Sequence, residues 1–169
     1  LISTLIGLFI APGLAAYLLY SRPTLLQKYF PTQTNQGYLL TPPIQYSILG
    51  SSQKWHLVLW QPASCDAHCL KEIDTLGRIR LALGRHLYQI DQWLLLGQNT
   101  RPLEMTHQEM LSKQAIEVKK LSSVDTPLEK SLGAKPRIFL ANPDNFFILA
   151  YPLDTKPDAI FHDLKQLIK

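Results

Sequence analysis

The hydrophobic pattern of the chain changes character twice. From Leu1 to Tyr20 there is no charged residue. About 20 helical residues at 1.5 Å each cross a hydrocarbon core of about 30 Å, so this run predicts a membrane helix over residues 1–21. Pro12-Gly13 interrupts the run, which a membrane helix accommodates as a kink. Tyr17 and Tyr20 fall at its end, where amphipathic rings favour the interface. Small residues around Gly13, Ala15 and Ala16 also resemble a signal-peptide processing site, but the apolar run continues past them, which favours an uncleaved anchor. Residues 22–43 then carry Pro23, Pro31, Pro42 and Pro43 among Thr, Gln and Asn, a composition that holds no helix and reads as an extended connector.

From residue 44 to 169 the pattern alternates between strand and helix. "KWHLVLW", 54–60, is apolar on both faces, as a strand covered on both sides would be. Between Asp66 and Leu83 the residues Cys69, Ile73, Leu76, Ile79 and Leu83 recur at helical spacing, and Gly84 stands where helices commonly stop. "QWLLLG", 92–97, predicts a second buried strand; 103–114 suits a helix and 116–121 a short strand. "RIFLA" and "FFILAY" flank the turn chemistry of "NPDN", which predicts an antiparallel hairpin at the sheet's edge. A last helix is expected to open at Thr155, with Asp158 as its capping partner, and to bury Ile160, Phe161, Leu164, Leu167 and Ile168. The order predicts an α/β domain: parallel strands first, an antiparallel hairpin after them, and helices on both faces of one sheet, the thioredoxin-like arrangement.

Composition adds little and excludes something. The chain has 169 residues, 46% of them hydrophobic, which suits one domain plus an apolar appendage. The net charge is +4, with Lys113, Lys119, Lys120, Lys130, Lys135, Lys165 and Lys169 spread through the last third. No dense Arg/Lys run interleaves with aromatics, so nucleic acid is not an expected partner. A mild positive balance fits a membrane lipid headgroup layer, an acidic protein partner, or simply solvated lysines.

The candidate chemistry is concentrated in "QPASCDAHCL", 61–70, which holds both cysteines of the chain. Its place between a buried strand and a helix is where α/β sheets put their sites. Cys65 is expected at or beside the first helical residue, with Pro62 and Ser64 setting the turn. A thiolate there faces unpaired N–H groups and the positive end of the helix dipole, which activates it. Cys69, four residues on, is placed for a disulfide, and His68 falls on the same face. Two thiolates and an imidazole are a possible donor set for a soft ion such as Cu(I), while an inert disulfide beside a solvated histidine is the plainer alternative.

The order of anchor, connector and strand–C-x-x-x-C–helix resembles the Sco (synthesis of cytochrome oxidase) family. "NQGYLLTPP", "ASCDAHC" followed by "RLALG", and "FLANPDNFFILAYP" with "DLKQLIK" resemble more closely the short Sco-like membrane proteins of bacterial cytochrome c oxidase assembly. The resemblance implies a single-pass protein of the bacterial inner membrane, its C-terminal domain in the periplasm, handling copper or thiols while the oxidase is built. Sco proteins complete their copper site with a histidine shortly before the strand matching "RIFLA"; here Ala134 stands at that place. Weak or absent copper binding is therefore expected. Pro136 stands where thioredoxin-like oxidoreductases carry a cis-proline beside the active thiols, although a proline at a strand entrance also needs no function, and a trans bond is favoured.

His56 lies inside a core strand, His86 follows Gly84, and His162 is on the last helix. His107 sits with Met105 and Met110 in "EMTHQEM", which helix packing plus one exposed imidazole explains better than metal ligation. Three roles stay open: an oxidase assembly factor acting through Cys65 and Cys69, a general thiol-disulfide oxidoreductase, and an accessory oxidase subunit whose domain only makes contacts.

Overall fold

The computed structural model describes residues 10–14, 17, 35–47 and 53–168, and the chain divides into two compact units, 1–34 and 35–169. In the first unit residues 10–14 and 17 are helical. The rest of the expected anchor over 1–21, and residues 22–34 of the connector, lie outside the described residues. Among the described residues no helix is long and apolar enough to cross a membrane.

The second unit is built on a six-stranded sheet in the order β1-β6-β5-β2-β3-β4. The elements are β1 (Tyr38–Gln45), β2 (Trp55–Gln61), α1 (Ala67–Ala82), a 3₁₀ turn (Gly84–Gln89), β3 (Ile90–Leu96), α2 (Met105–Lys113), β4 (Ile116–Lys120), a 3₁₀ turn (Ser123–Asp125), α3 (Thr126–Leu132), β5 (Arg137–Ala141), β6 (Phe146–Tyr151) and α4 (Pro157–Leu167). β2, β3 and β4 are parallel; β5, β6 and β1 are antiparallel to their neighbours.

Period-2 alternation explains why β2 reads as a continuous apolar run. Leu57 and Leu59 face one core with Leu94, Leu96, Ile138 and Leu140, onto which α1 packs Cys69, Ile73 and Leu76 and α4 packs Ile160 and Leu164. Val58 and Trp60 face the opposite core with Trp93, Leu95, Phe139 and Phe147, which α3 closes with Leu132. A fully buried side chain of this size contributes about 1.5–3 kcal/mol, and truncating one such as Leu76 to alanine costs about 2–5 kcal/mol.

The structure departs from the sequence pattern in three places. The stretch 38–45, within or just beyond the expected connector, is an edge strand. Its register with β6 shifts between Leu39 and Ile44, where Pro42 and Pro43 sit, as prolines can only at an edge or bulge. The hairpin is consequently not the sheet's edge: β5 pairs with central β2, and β1 lies outside β6. Finally, α4 opens at Pro157 with Lys156 as N-cap and no side-chain cap, so Thr155 and Asp158 do not form the expected pair. Proline at the first helical position has no N–H left to satisfy and presets the helical φ.

Candidate functional site

The site is assembled at the carboxyl end of β2. Beyond Gln61 the chain turns through Pro62–Asp66 into α1, and that turn is fixed from both sides. The Gly97 N–H donates to the Gln61 carbonyl at 2.9 Å, tying it to the end of β3. A Cβ on Gly97 would lie 2.7 Å from the Pro62 carbonyl oxygen and 2.8 Å from Glu129 Oε1, so the close approach requires glycine there. The Gln61 side-chain amide reaches the Ser64 carbonyl at 3.4 Å, and Ser64 Oγ accepts the Arg101 N–H at 3.1 Å.

Cys65 and Cys69 form a disulfide, with Cα atoms 5.2 Å apart. Its two sulfurs occupy different environments. Cys69, in the first turn of α1, is 3% exposed and packs into the core with Ile73 and Leu76. Cys65 is half-buried and lines an open groove of about 400 Å³ together with Leu70, Arg101, Leu103, Glu104 and His107. Attack by an incoming thiolate is therefore open at Cys65 and obstructed at Cys69.

The helix starts where its periodicity placed it, but Cys65 stands further outside it than expected. α1 begins at Ala67 and its N-cap is Asp66, so Cys65 lies one residue outside the cap. Asp66 Oδ1 accepts the Cys69 N–H at 2.9 Å, and this bond, more than any other contact, holds the carboxyl below its ordinary value of 3.8. The N-terminal charge preference of the helix is thus already met by a carboxylate beside Cys65, and the free N–H groups expected to greet a Cys65 thiolate are partly taken. Aspartate immediately before an apolar helical periodicity is a recognisable N-cap signal, so this residue was legible in the sequence.

His68 is exposed in the first turn of α1, and no group of three His, Cys, Asp or Glu side chains among the described residues is placed to hold a metal ion. Ala134, in the exposed turn before β5, brings no ligand. That turn is nevertheless placed close by: Trp60 Nε1 donates to the Gly133 carbonyl at 2.9 Å, and the pairing of Trp60 with Arg137 puts Pro136 opposite Gln61. The cis peptide bond among the described residues is Thr41–Pro42, and Lys135–Pro136 is trans. In the disulfide form the two sulfurs are not thiolate donors; after reduction Cys65 and Cys69, with His68 in the same turn, are the residues that would hold a soft ion such as Cu(I). The methionines beside His107 are also not packed: Met105 is 78% and Met110 41% exposed, and Leu103 and Leu111 fill the core instead.

A strand, a cysteine pair entering a helix, parallel strands and a closing antiparallel hairpin define a thioredoxin-like domain. Residues 55–169 match the family described as the transmembrane-like, thioredoxin-like, C-terminal domain, and the chain belongs to it. No curated protein matches the chain. Among solved structures, the apo Sco1 protein from Thermus thermophilus is similar at 15% identity, with 79% of this chain and 97% of that one covered and a TM-score of 0.57. Yeast Sco1 with copper bound is similar at 14% identity over 68% and 78% of the two chains, with a TM-score of 0.54. Both likenesses are at the level of the fold.

Proposed function

We propose that this chain is a Sco-like, membrane-anchored thiol-disulfide protein that serves cytochrome c oxidase assembly from the periplasmic side of the bacterial inner membrane. The observation that carries the thiol chemistry is the asymmetry of the disulfide: one sulfur lines an open groove and the other is sealed into the core. The fold shared with two Sco1 proteins, and the sequence resemblance over connector, cysteine stretch and hairpin, support the oxidase setting. Ala134 in place of a third ligand weighs against copper delivery as the role.

The exchange runs as a two-electron transfer. A partner thiolate attacks Cys65 Sγ; a mixed disulfide forms, the Cys65–Cys69 bond breaks, and its electron pair leaves on Cys69 Sγ, which takes up a proton. A second partner thiolate then attacks the partner's own sulfur, releasing Cys65 as thiolate. The partner dithiol is oxidised to a disulfide and this chain is reduced to the dithiol; the reverse sequence reduces a partner disulfide.

Replacing Cys69 by serine tests this reading. Cys69→Ser should accumulate mixed disulfides through Cys65 in membranes, resolved by non-reducing electrophoresis, and oxidase polypeptides should be among the captured partners. Cys65→Ser should capture none. Equal capture by both variants overturns the assignment of Cys65 as the attacked sulfur. Capture by neither, with the wild-type chain copurifying with assembled oxidase, replaces thiol exchange with the accessory-subunit reading.

A further inference from the structure

At the far end of α1 from the disulfide lies a second groove, of about 540 Å³, formed where the 3₁₀ turn after α1 meets the last turns of α4. Leu83, Phe161 and Ile168 line it as apolar surface; Arg85, His86 and Lys165 line it as cations or imidazole, and no carboxylate is among its lining residues. Arg85 and Lys165 are exposed. The Nδ1 atom of His86 is buried without a hydrogen-bond partner, while its Nε2 meets Arg85 Nε at 3.4 Å. From Thr75 to Ile90 the sequence contains three arginines and no acidic residue. Of these, Arg80 is engaged by the Ala115 and Gln114 carbonyls and Arg78 by Asp74, which leaves Arg85 as the one turned to the groove. Tyr88, in the same 3₁₀ turn, is 76% exposed.

An apolar floor, a rim of positive charge, an orphan imidazole nitrogen and a protruding tyrosine match one surface in particular. Anionic phospholipid headgroups offer phosphate to Arg85 and Lys165 and glycerol-level apolar surface to Tyr88 and Phe161. We propose that this end of the domain rests on the headgroup layer of a bilayer containing anionic phospholipid. α1 has 16 residues and is therefore about 24 Å long, so a domain resting on this end holds the disulfide groove well clear of the lipid, facing a partner's periplasmic surface. The orientation is independent of what chemistry the cysteines perform.

Amide hydrogen exchange of the full chain in nanodiscs tests the contact, comparing phosphatidylcholine alone with phosphatidylcholine containing phosphatidylglycerol. Residues 84–89 and 165–168 should exchange more slowly in the anionic discs by up to roughly thirtyfold, about the weight two cations carry at an anionic leaflet, and high salt should remove the difference. Arg85→Glu/Lys165→Glu should abolish it, and Arg85→Gln/Lys165→Gln should reduce it; unchanged exchange in β2 and β3 certifies that each variant is folded. Equal exchange in the two lipids, or protection indifferent to both variants, overturns the proposal. Protection produced by inorganic phosphate in purely zwitterionic discs also overturns it, because the groove is then a site for a small free anion.

Discussion

Two aspartates, Asp66 at the start of one helix and Asp163 inside another, show how differently one side chain is used at the rim and in the interior of this domain. Asp163 is fully buried and saturated. Its oxygens accept the Gln36 N–H at 2.9 Å, the Gly37 N–H at 2.9 Å and the Tyr151 hydroxyl at 2.8 Å. It joins the first residues of the domain to its last strand and last helix. Asp66 is exposed and bonds only locally, to the first turn of its own helix. The interior carboxylate fixes where segments lie, whereas the rim carboxylate sets the charge beside the accessible sulfur of the disulfide. Removing the first should damage stability without altering thiol chemistry, and removing only the charge of the second should do the reverse.

The largest effect is expected at the interior site. Asp163→Ala leaves two backbone N–H groups and the buried Tyr151 hydroxyl without their acceptor, which should cost about 3–5 kcal/mol in urea unfolding of the disulfide-intact protein. Burial, reinforced by the hydrogen bond to Asp163, holds the Tyr151 phenol well above its ordinary value, so ionisation offers it no escape. The space is equally constrained, because a Cβ on Gly37 would collide with the Tyr151 ring. Within the folded fraction of Asp163→Ala, the rate at which a small thiol reduces the disulfide should match wild type. A rate change comparable to the stability change would mean that the two regions are not separable.

That difference also explains what the sequence disclosed. β2, β3 and the β5–β6 hairpin were legible because both of their faces are buried, which writes continuous apolar runs. The cysteine pair was legible through its place between β2 and α1, and Gly84 marked the helix end through the left-handed backbone it adopts, at φ +59°. β1 was not legible, because Thr41-Pro-Pro43 reads as a connector until β6 offers it a partner. Nor was α3, whose seven residues are too short for a periodic stripe. Asp163 was invisible for a further reason: its partners Gln36 and Gly37 lie 127 and 126 positions away. Local contacts such as the Asp66 cap leave a signature in neighbouring residues, and long-range ones do not.

A second interior group gives the next largest effect, and it depends on pH. His56 is fully buried in β2, with Nδ1 2.6 Å from the Tyr46 hydroxyl. Burial pushes its imidazole below the ordinary 6.5; Asp91 works against that shift and Lys54 adds to it. The unfolded chain therefore takes up a proton near 6.5 that the folded chain still refuses. The stability associated with neutral His56 is complete above that value and declines as pH falls, by up to about 1.4 kcal/mol per pH unit, until the folded imidazole itself protonates. Unfolding midpoints measured from neutral to mildly acidic pH should follow this slope in wild type and flatten in His56→Gln. Parallel slopes for the two proteins would assign the pH dependence elsewhere.

The smallest effect is expected at the rim, and it is the one that bears on function. The Asp66 carboxyl, held below 3.8 chiefly by the Cys69 N–H, is a full negative charge at neutral pH, one residue from Cys65. It opposes formation of a thiolate on Cys65 and so slows attack by the reduced form. The substitution Asp66→Asn keeps a side-chain oxygen for the Cys69 N–H, so the helix start should survive while the charge disappears. Because the site is solvent-exposed and screened, the gain should be modest, roughly threefold in the alkylation rate of Cys65 in the reduced protein at neutral pH. High salt should narrow the gap between variant and wild type, since only the charge differs between them. Asp66→Ala separates the two functions of the residue: it removes the charge and the cap together, so it should raise reactivity while loosening the first turn of α1, visible as faster amide exchange at Cys69. If Asp66→Asn instead leaves the alkylation rate unchanged and Asp66→Ala alone alters it, the carboxylate acts on Cys65 through helix geometry, and its charge is not what tunes the sulfur.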